Sequence, residues 1–325
     1  MNQLRDRDEA LHPSFLLCEY VRIARPDHWI KNVFMVPGAA LALTATSDLI
    51  PSQALPFVLA LVSLCLLASA NYTINEFLDA QYDRFHPVKS SRPGARGLLD
   101  GRFVLFQYLL LALAGCFLAW FVNAPYLLTS ICLLIMGLIY NVPPIRTKDK
   151  IYLDVLSESI NNPIRFMLGW FAVTATALPP SSVLIAYWMG GAFLMDVKRY
   201  SEYRQIADPG RAALYRRSFD KYTEGSLLLA AFFYAISSAF FIAIFLIKYR
   251  IELVLTFPFF AILFTWYLAI GFKDGSAAQA PEKLYREATF LGFAAFTCIA
   301  VAALFFIDIP VLQVFQEPLL IRLPF

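Results

Sequence analysis

The sequence predicts an all-α polytopic membrane protein: a bundle of nine transmembrane helices, with the amino terminus cytoplasmic and the carboxyl terminus outside. Composition, the spacing of apolar runs and the distribution of Lys and Arg predict it. Of 325 residues, 59% are hydrophobic and only 16% charged, with a mean hydropathy of +0.60, too apolar for a soluble globular domain. A helical crossing needs roughly 20 apolar residues, and runs at about 30–46, 55–76, 103–122, 126–142, 157–177, 181–199, 226–247, 252–272 and 288–307 qualify. Lys and Arg are retained on the cytoplasmic side. Of the 27, 23 fall on the side of the amino terminus, Lys248, Arg250 and Arg322 on the other, and Arg165 within the fifth run. That asymmetry requires an odd number of crossings.

The formal charge of +3 is therefore a topology signal. No basic and aromatic residues interleave as in a nucleic-acid groove, so no nucleic-acid partner is expected. The five cysteines are scattered, with neither zinc-site nor disulfide spacing. Residues 1–20 do not read as a cleavable signal, and the first run is expected to direct insertion.

Residues 1–24 read as a cytoplasmic arm. Residues 25–309 form one nine-helix domain, and 310–325 a tail. At the domain's start, Pro26 suits a first helical turn and Trp29 the membrane interface. Arg25 and Lys31 either snorkel to the headgroups or face an anion, since Arg25, His28 and Asn32 fall near one helix face. The second run ends in Asn75-Glu76-Phe-Leu-Asp79-Ala-Gln-Tyr-Asp83, which sets three carboxylates at a membrane rim, an expensive place for negative charge. Offsets of three and four put all four polar residues on one face. The next segment, Arg84-Phe-His86-Pro-Val-Lys89-Ser-Ser-Arg92-Pro-Gly-Ala-Arg96, is either topological or a place where phosphate meets metal.

The third and fourth runs read as scaffold, and Pro143-Pro144 ends the fourth. Asp154, Glu158, Asn161, Asn162 and Arg165 then form one polar stripe on a helix. This stripe fits an opposing acidic wall, a salt bridge with Arg165, or the proton relay of a transporter. Lys198 and Arg199 lie within helical reach of Glu202 and Asp196, an arrangement equally suited to self-pairing or to function. Residues 203–222 are long enough to cover the cytoplasmic mouth.

Two acidic stripes suit Mg²⁺, which takes one or two carboxylates and completes its shell with water and phosphate oxygens. Bridging Mg²⁺ would hold a diphosphate and stabilise its departure, so the expected reaction is substitution at a carbon bearing diphosphate. Neither a phosphate-binding Gly-x-x-x-x-Gly-Lys-Ser/Thr loop nor a His-Glu-x-x-His helix is present. The apolar surroundings suit a lipid substrate such as a polyprenyl chain.

Asn75-Glu76-x-x-Asp79-x-x-x-Asp83 resembles the first aspartate-rich motif of the UbiA superfamily of intramembrane prenyltransferases, with Glu76 where the motif usually carries Asp. Tyr140-Asn-Val-Pro-Pro-Ile-Arg146 followed by Asp154 is similar to its second signature region, and nine helices are its usual fold. Arg25-Pro-x-x-Trp29-x-Lys31-Asn32, His86-Pro-x-Lys89-x-x-Arg92-Pro93 and Lys198-Arg199-Tyr200-x-Glu202 resemble the branch that transfers phosphoribose from phosphoribosyl diphosphate to a polyprenyl phosphate. The double-proline segment looks more like enzymes that prenylate ring acceptors.

The resemblance implies an integral enzyme of the inner (cytoplasmic) membrane with a cytoplasmic active site. Asp79, Asp83 and Asp154 would be catalytic, and Glu76, Asp79 and Asp83 would hold Mg²⁺. Asn75, Lys31, Lys89, Arg92, Arg146, Glu158, Asn162, Arg165, Lys198 and Arg199 would bind a diphosphate-bearing co-substrate and a polyprenyl lipid.

Overall fold

Helix is the regular structure of every element among the described residues, as apolar runs require in hydrocarbon, where a lone segment satisfies its backbone polar groups only by coiling on itself. The computed structural model describes residues 13–46, 54–86, 88–279 and 281–315. The first half of the predicted arm with Arg5 and Arg7, Pro87 of the basic loop, and the tail from 316 with Arg322 lie outside the described residues.

The α-helices are α1 (Pro13–Ile23), α2 (Val36–Thr46), α3 (Ala54–Asp83), α4 (Gly101–Val122), α5 (Ala124–Asn141), α6 (Leu153–Ser159), α7 (Asn161–Phe171), α8 (Ser181–Ile206), α9 (Pro209–Tyr215), α10 (Glu224–Tyr249), α11 (Phe257–Gly271) and α12 (Ala288–Leu304). Helix covers most of each apolar run, although residues 172–177 of the fifth are not helical. Among the described residues, five stretches are long and apolar enough to cross a membrane: α3, α4, α5, α10, and Ile251–Gly271, which is a 3-10 turn leading into α11.

The fifth run departs from the single helix expected of it. It is divided at Ile160 into α6 and α7, because Pro163 has no N–H to give the Ser159 carbonyl and its ring crowds that turn. The predicted continuous polar stripe is therefore split between two helices. The first run opens as a 3-10 helix, Pro26–Met35, before α2.

The chain forms two compact units, one of Met1–Pro179 with Ile206–Thr223, the other of Pro180–Gln205 with Glu224–Phe325. In the first, α3 packs along α4 and against α5, while α2 packs on α7. Glycine makes the α2–α7 crossing possible. A Cβ at Gly38 would lie 1.9 Å from the Phe166 carbonyl oxygen, and one at Gly169 would lie 1.9 Å from that of Met35. Small residues let backbones approach where no aqueous driving force exists between helices. Asn123 ends α4 and begins α5, accepting the Tyr126 N–H at 2.8 Å and donating to the Phe171 carbonyl at 2.6 Å. Phe103, Phe106, Leu110, Leu113, Phe117 and Trp120 stay exposed along α4, as a lipid-facing surface should.

In the second unit, Ser238 of α10 donates to the Ala186 carbonyl of α8 at 2.9 Å, and Phe193 of α8 meets Phe264 of α11 edge-on. Arg250 joins Glu252 at 3.2 Å to Asp308 at 2.8 Å.

Replacing Gly169 by Ala should lower the thermal unfolding midpoint in detergent, since overpacking costs about 1–3 kcal/mol. Gly292→Ala, which adds a Cβ into open space, should leave that midpoint unchanged.

Candidate active site

The site is built on the last turns of α3, within the first unit. Thirty residues at about 1.5 Å each make a helix of roughly 45 Å, longer than a hydrocarbon core of about 30 Å. Asn75, Glu76, Asp79 and Asp83 occupy the end of that length. A helix carboxyl terminus already bears partial negative charge, so these acids require cations from elsewhere in the chain.

Glu76 is only 3% exposed. Arg25 donates to its Oε2 from Nε at 3.1 Å and from Nη2 at 2.5 Å, while Oε1 is buried with no hydrogen-bond partner. The Arg25 backbone is left-handed, with φ 50° and ψ 60°, and its guanidinium lies 5.8 Å from the Tyr72 ring centroid. Gly94 of the basic loop presses on the same turn: a Cβ there would lie 2.8 Å from the Glu76 carbonyl oxygen.

Asp79 receives Arg146 Nη2 at 3.0 Å on Oδ1 and Lys148 Nζ at 2.5 Å on Oδ2. Arg146 has φ 25°, donates to the Asn141 carbonyl at 2.7 Å and to Asp149 at 3.2 Å, and covers the Tyr82 ring at 5.0 Å. Asn141 Oδ1 accepts from Asn75 at 2.7 Å and from Lys148 at 3.2 Å. Burial, with the nearby Arg216 and Arg146 charges, pushes Lys148 down to about 8 against the pull of Asp79.

Asp83 receives Arg92 Nη1 at 2.7 Å. Burial opposes the charge on Arg92, but Asp83, and then Glu76, carry its pKa above the ordinary value. The loop that presents Arg92 is fixed by His86, whose Nδ1 accepts the backbone N–H groups of Val88 and Lys89 at 3.1 and 3.2 Å. Lys89 itself bonds the Tyr215 hydroxyl.

The second predicted wall is divided by the break at Ile160. Asp154, fully buried, accepts from Arg216 at 3.3 Å, Ser218 at 3.1 Å and Tyr222 at 2.8 Å. It thereby anchors the segment after α9. α9 itself reaches the loop after α3 through Tyr215 and through Arg211, which donates to the Phe85 carbonyl at 3.3 Å. Glu158 accepts from the Tyr140 hydroxyl at 2.7 Å. Asn162 is buried on α7, and Arg165 reaches Asn32 Oδ1 at 3.4 Å. Lys31 lies 3.2 Å from His28 Nδ1. Lys198 and Arg199 belong to the second unit, where Arg199 pairs with Glu202 at 3.1 Å.

Of the residues expected at the site, the structure gathers Asn75, Glu76, Asp79, Asp83, Arg92 and Arg146 around the end of α3. Sequence reasoning missed Lys148, Asn141, Tyr215, Arg216, Ser218 and Tyr222. Lys148 had a signal, a second cation two residues past Arg146 after a proline stop, and Asn141 lies within the Tyr140–Arg146 signature segment. Among the described residues no three His, Cys, Asp or Glu side chains are grouped to hold a metal. A hard divalent cation sharing its shell with phosphate needs only one or two carboxylates, and the unpartnered Glu76 oxygen fits that role.

The profile of the UbiA prenyltransferase family matches residues 32–296. The chain is 30% identical over 218 residues to the decaprenyl-phosphate phosphoribosyltransferase of Mycolicibacterium smegmatis, a match spanning 66% of each protein. It is also 30% identical over 203 residues to nodulation protein NoeC of Azorhizobium caulinodans, spanning 62% of each. The match therefore covers slightly less than two thirds of either relative. A UbiA homolog from Archaeoglobus fulgidus, solved with DMAPP and Mg²⁺, shares the fold with a TM-score of 0.66 and 20% identity, covering 89% of this chain and 100% of that one. The chain belongs to the UbiA prenyltransferase family.

Proposed function

We propose that this protein is an Mg²⁺-dependent transferase that moves phosphoribose from phosphoribosyl diphosphate to a polyprenyl phosphate, releasing pyrophosphate. One observation carries the reading: each carboxylate of α3 is paired with a cation, Glu76 with Arg25, Asp79 with Arg146 and Lys148, and Asp83 with Arg92. Such a set offers oxygens to a metal and N–H donors to phosphates in one place. The relatives named for phosphoribosyl transfer support this choice of donor, as do the further cations Lys89 and Arg216.

Glu76, with Asp79 or Asp83 as a second carboxylate, would hold Mg²⁺, which when bound neutralises charge on the departing diphosphate. Arg146 and Lys148 donate to that group, and Arg92 and Lys89 hold a second phosphate. Ribose C1 gains oxocarbenium character as its bond to the diphosphate oxygen breaks, and an oxygen of the acceptor phosphate then forms the new bond. Asp154, through Arg216, Ser218 and Tyr222, keeps the α9 segment beside these groups and excludes water. We also propose nine crossings, a cytoplasmic amino terminus, an outer carboxyl terminus and a site on the cytoplasmic face of the inner membrane. The distribution of Lys and Arg supports that topology.

The prenyl diphosphate in the Archaeoglobus fulgidus structure favours a second reading, transfer of a polyprenyl group to an aromatic or other small acceptor. Purified protein given radiolabelled phosphoribosyl diphosphate decides between them: label should enter the organic phase only when polyprenyl phosphate is added. No transfer under those conditions, with turnover of a polyprenyl diphosphate instead, would overturn the first reading.

Asp79→Asn should lower that turnover by about a hundredfold or more, the scale expected for loss of a preorganised charge at a reacting centre. Lys148 is charged below about pH 8, so inhibition by pyrophosphate should weaken as pH rises through 8. Lys148→Arg, which stays charged, should remove that dependence.

A further inference from the structure

Arg25 spends two donors on a single oxygen. Its Nε and Nη2 both reach Glu76 Oε2, although a guanidinium ordinarily forks across both oxygens of a carboxylate. The other oxygen, Oε1, is left buried without a hydrogen-bond partner. A contact serving only to neutralise a buried acid would satisfy both oxygens, since an unsatisfied buried acceptor costs free energy. The pairing also draws on backbone strain, because Arg25 sits at φ 50°, a left-handed conformation disfavoured for residues with a Cβ.

Glu76 is one turn from Asp79 and two from Asp83 on the same face of α3. The open oxygen therefore belongs to the acid cluster. Glu76 also stands where the family motif usually carries Asp, so its carboxylate is one methylene farther from the backbone and needs an external hold.

We propose that Arg25 is a positioning residue: by fixing Oε2 it turns Oε1 of Glu76 into an oriented ligand for the divalent cation. The proposal rests on the Mg²⁺ reading above and adds that the metal site extends to the segment before the first membrane run. Arg25 acts through Glu76 and makes no contact of its own with the metal.

Mn²⁺ binding, read by electron paramagnetic resonance on the full-length protein in detergent with and without inorganic pyrophosphate, tests it. Arg25→Gln and Glu76→Gln should each weaken Mn²⁺ binding about tenfold or more, the usual effect of losing an orienting partner. The double variant should bind no worse than Glu76→Gln alone. Arg25→Lys, which keeps the charge but loses the fork, should fall between wild type and Arg25→Gln and guards against a misfolded Gln variant. Unchanged Mn²⁺ affinity in both Arg25 variants overturns the proposal, as does a double variant whose loss is the product of the single losses. An effect that vanishes at saturating pyrophosphate makes Arg25 an anion contact and also overturns it. Wild-type protein that binds no Mn²⁺ under either condition defeats the Mg²⁺ reading itself.

Discussion

Three carboxylates at the negative end of a long helix are the constraint on which the first unit depends. Each of Glu76, Asp79 and Asp83 opposes the α3 dipole, and each is taken largely out of water. Breaking a buried pair by removing one partner typically costs about 3–5 kcal/mol, because the charge left behind is uncompensated. The segments that bring the compensating cations are therefore fixed in place by the acids, just as the acids are made tolerable by the cations. Arg25 comes from before the first membrane run, Arg92 from the loop after α3, and Arg146 and Lys148 from the turn between α5 and α6.

Delivery of those cations explains local features that otherwise look unfavourable. Arg25 and Arg146 both adopt positive φ, a strain that persists where the surroundings over-determine it. In both cases the surroundings include a charge-assisted hydrogen bond to an α3 acid. Asn141 links Asn75 to Lys148 through one side-chain oxygen, so the end of α5 and the end of α3 hold a common register. His86 orders the basic loop by accepting two backbone N–H groups, and Asp154 does the equivalent for the α9 segment with three donors.

The helical fold was legible because periodicity and length in apolar runs are local properties. The acidic face of α3 was legible for the same reason, since offsets of three and four fix which side chains neighbour one another on a helix. The partners of those acids are 51 to 69 residues away in three of the pairs, and no local pattern encodes such a meeting. Arg92 is the exception at a separation of nine, and its basic loop stood out. The stripe from Asp154 to Arg165 shows the limit from the other side. The offsets fit one helix, but Pro163 breaks it, leaving Asp154 and Glu158 on α6 and Asn161, Asn162 and Arg165 on α7. Asn141 stands in the quoted Tyr140–Arg146 segment, but its partners Asn75 and Lys148 come only with folding.

Charge balance also bears on how substrate would enter. Glu76, Asp79 and Asp83 are matched by Arg25, Arg92, Arg146 and Lys148, so the ligand-free cluster is close to neutral. A divalent cation entering alone would add positive charge to a site that already holds four cations. A diphosphate entering alone would drive the three acids against it. The two together bring nearly compensating charges: Asp79 and Asp83 can give up Arg146, Lys148 and Arg92 to phosphate oxygens as the metal enters, while Arg25 stays on Glu76. That exchange keeps the cluster's net charge small, whereas either ligand alone leaves one sign in excess. On the proposed function, the self-paired site is therefore built to receive metal and diphosphate as one complex.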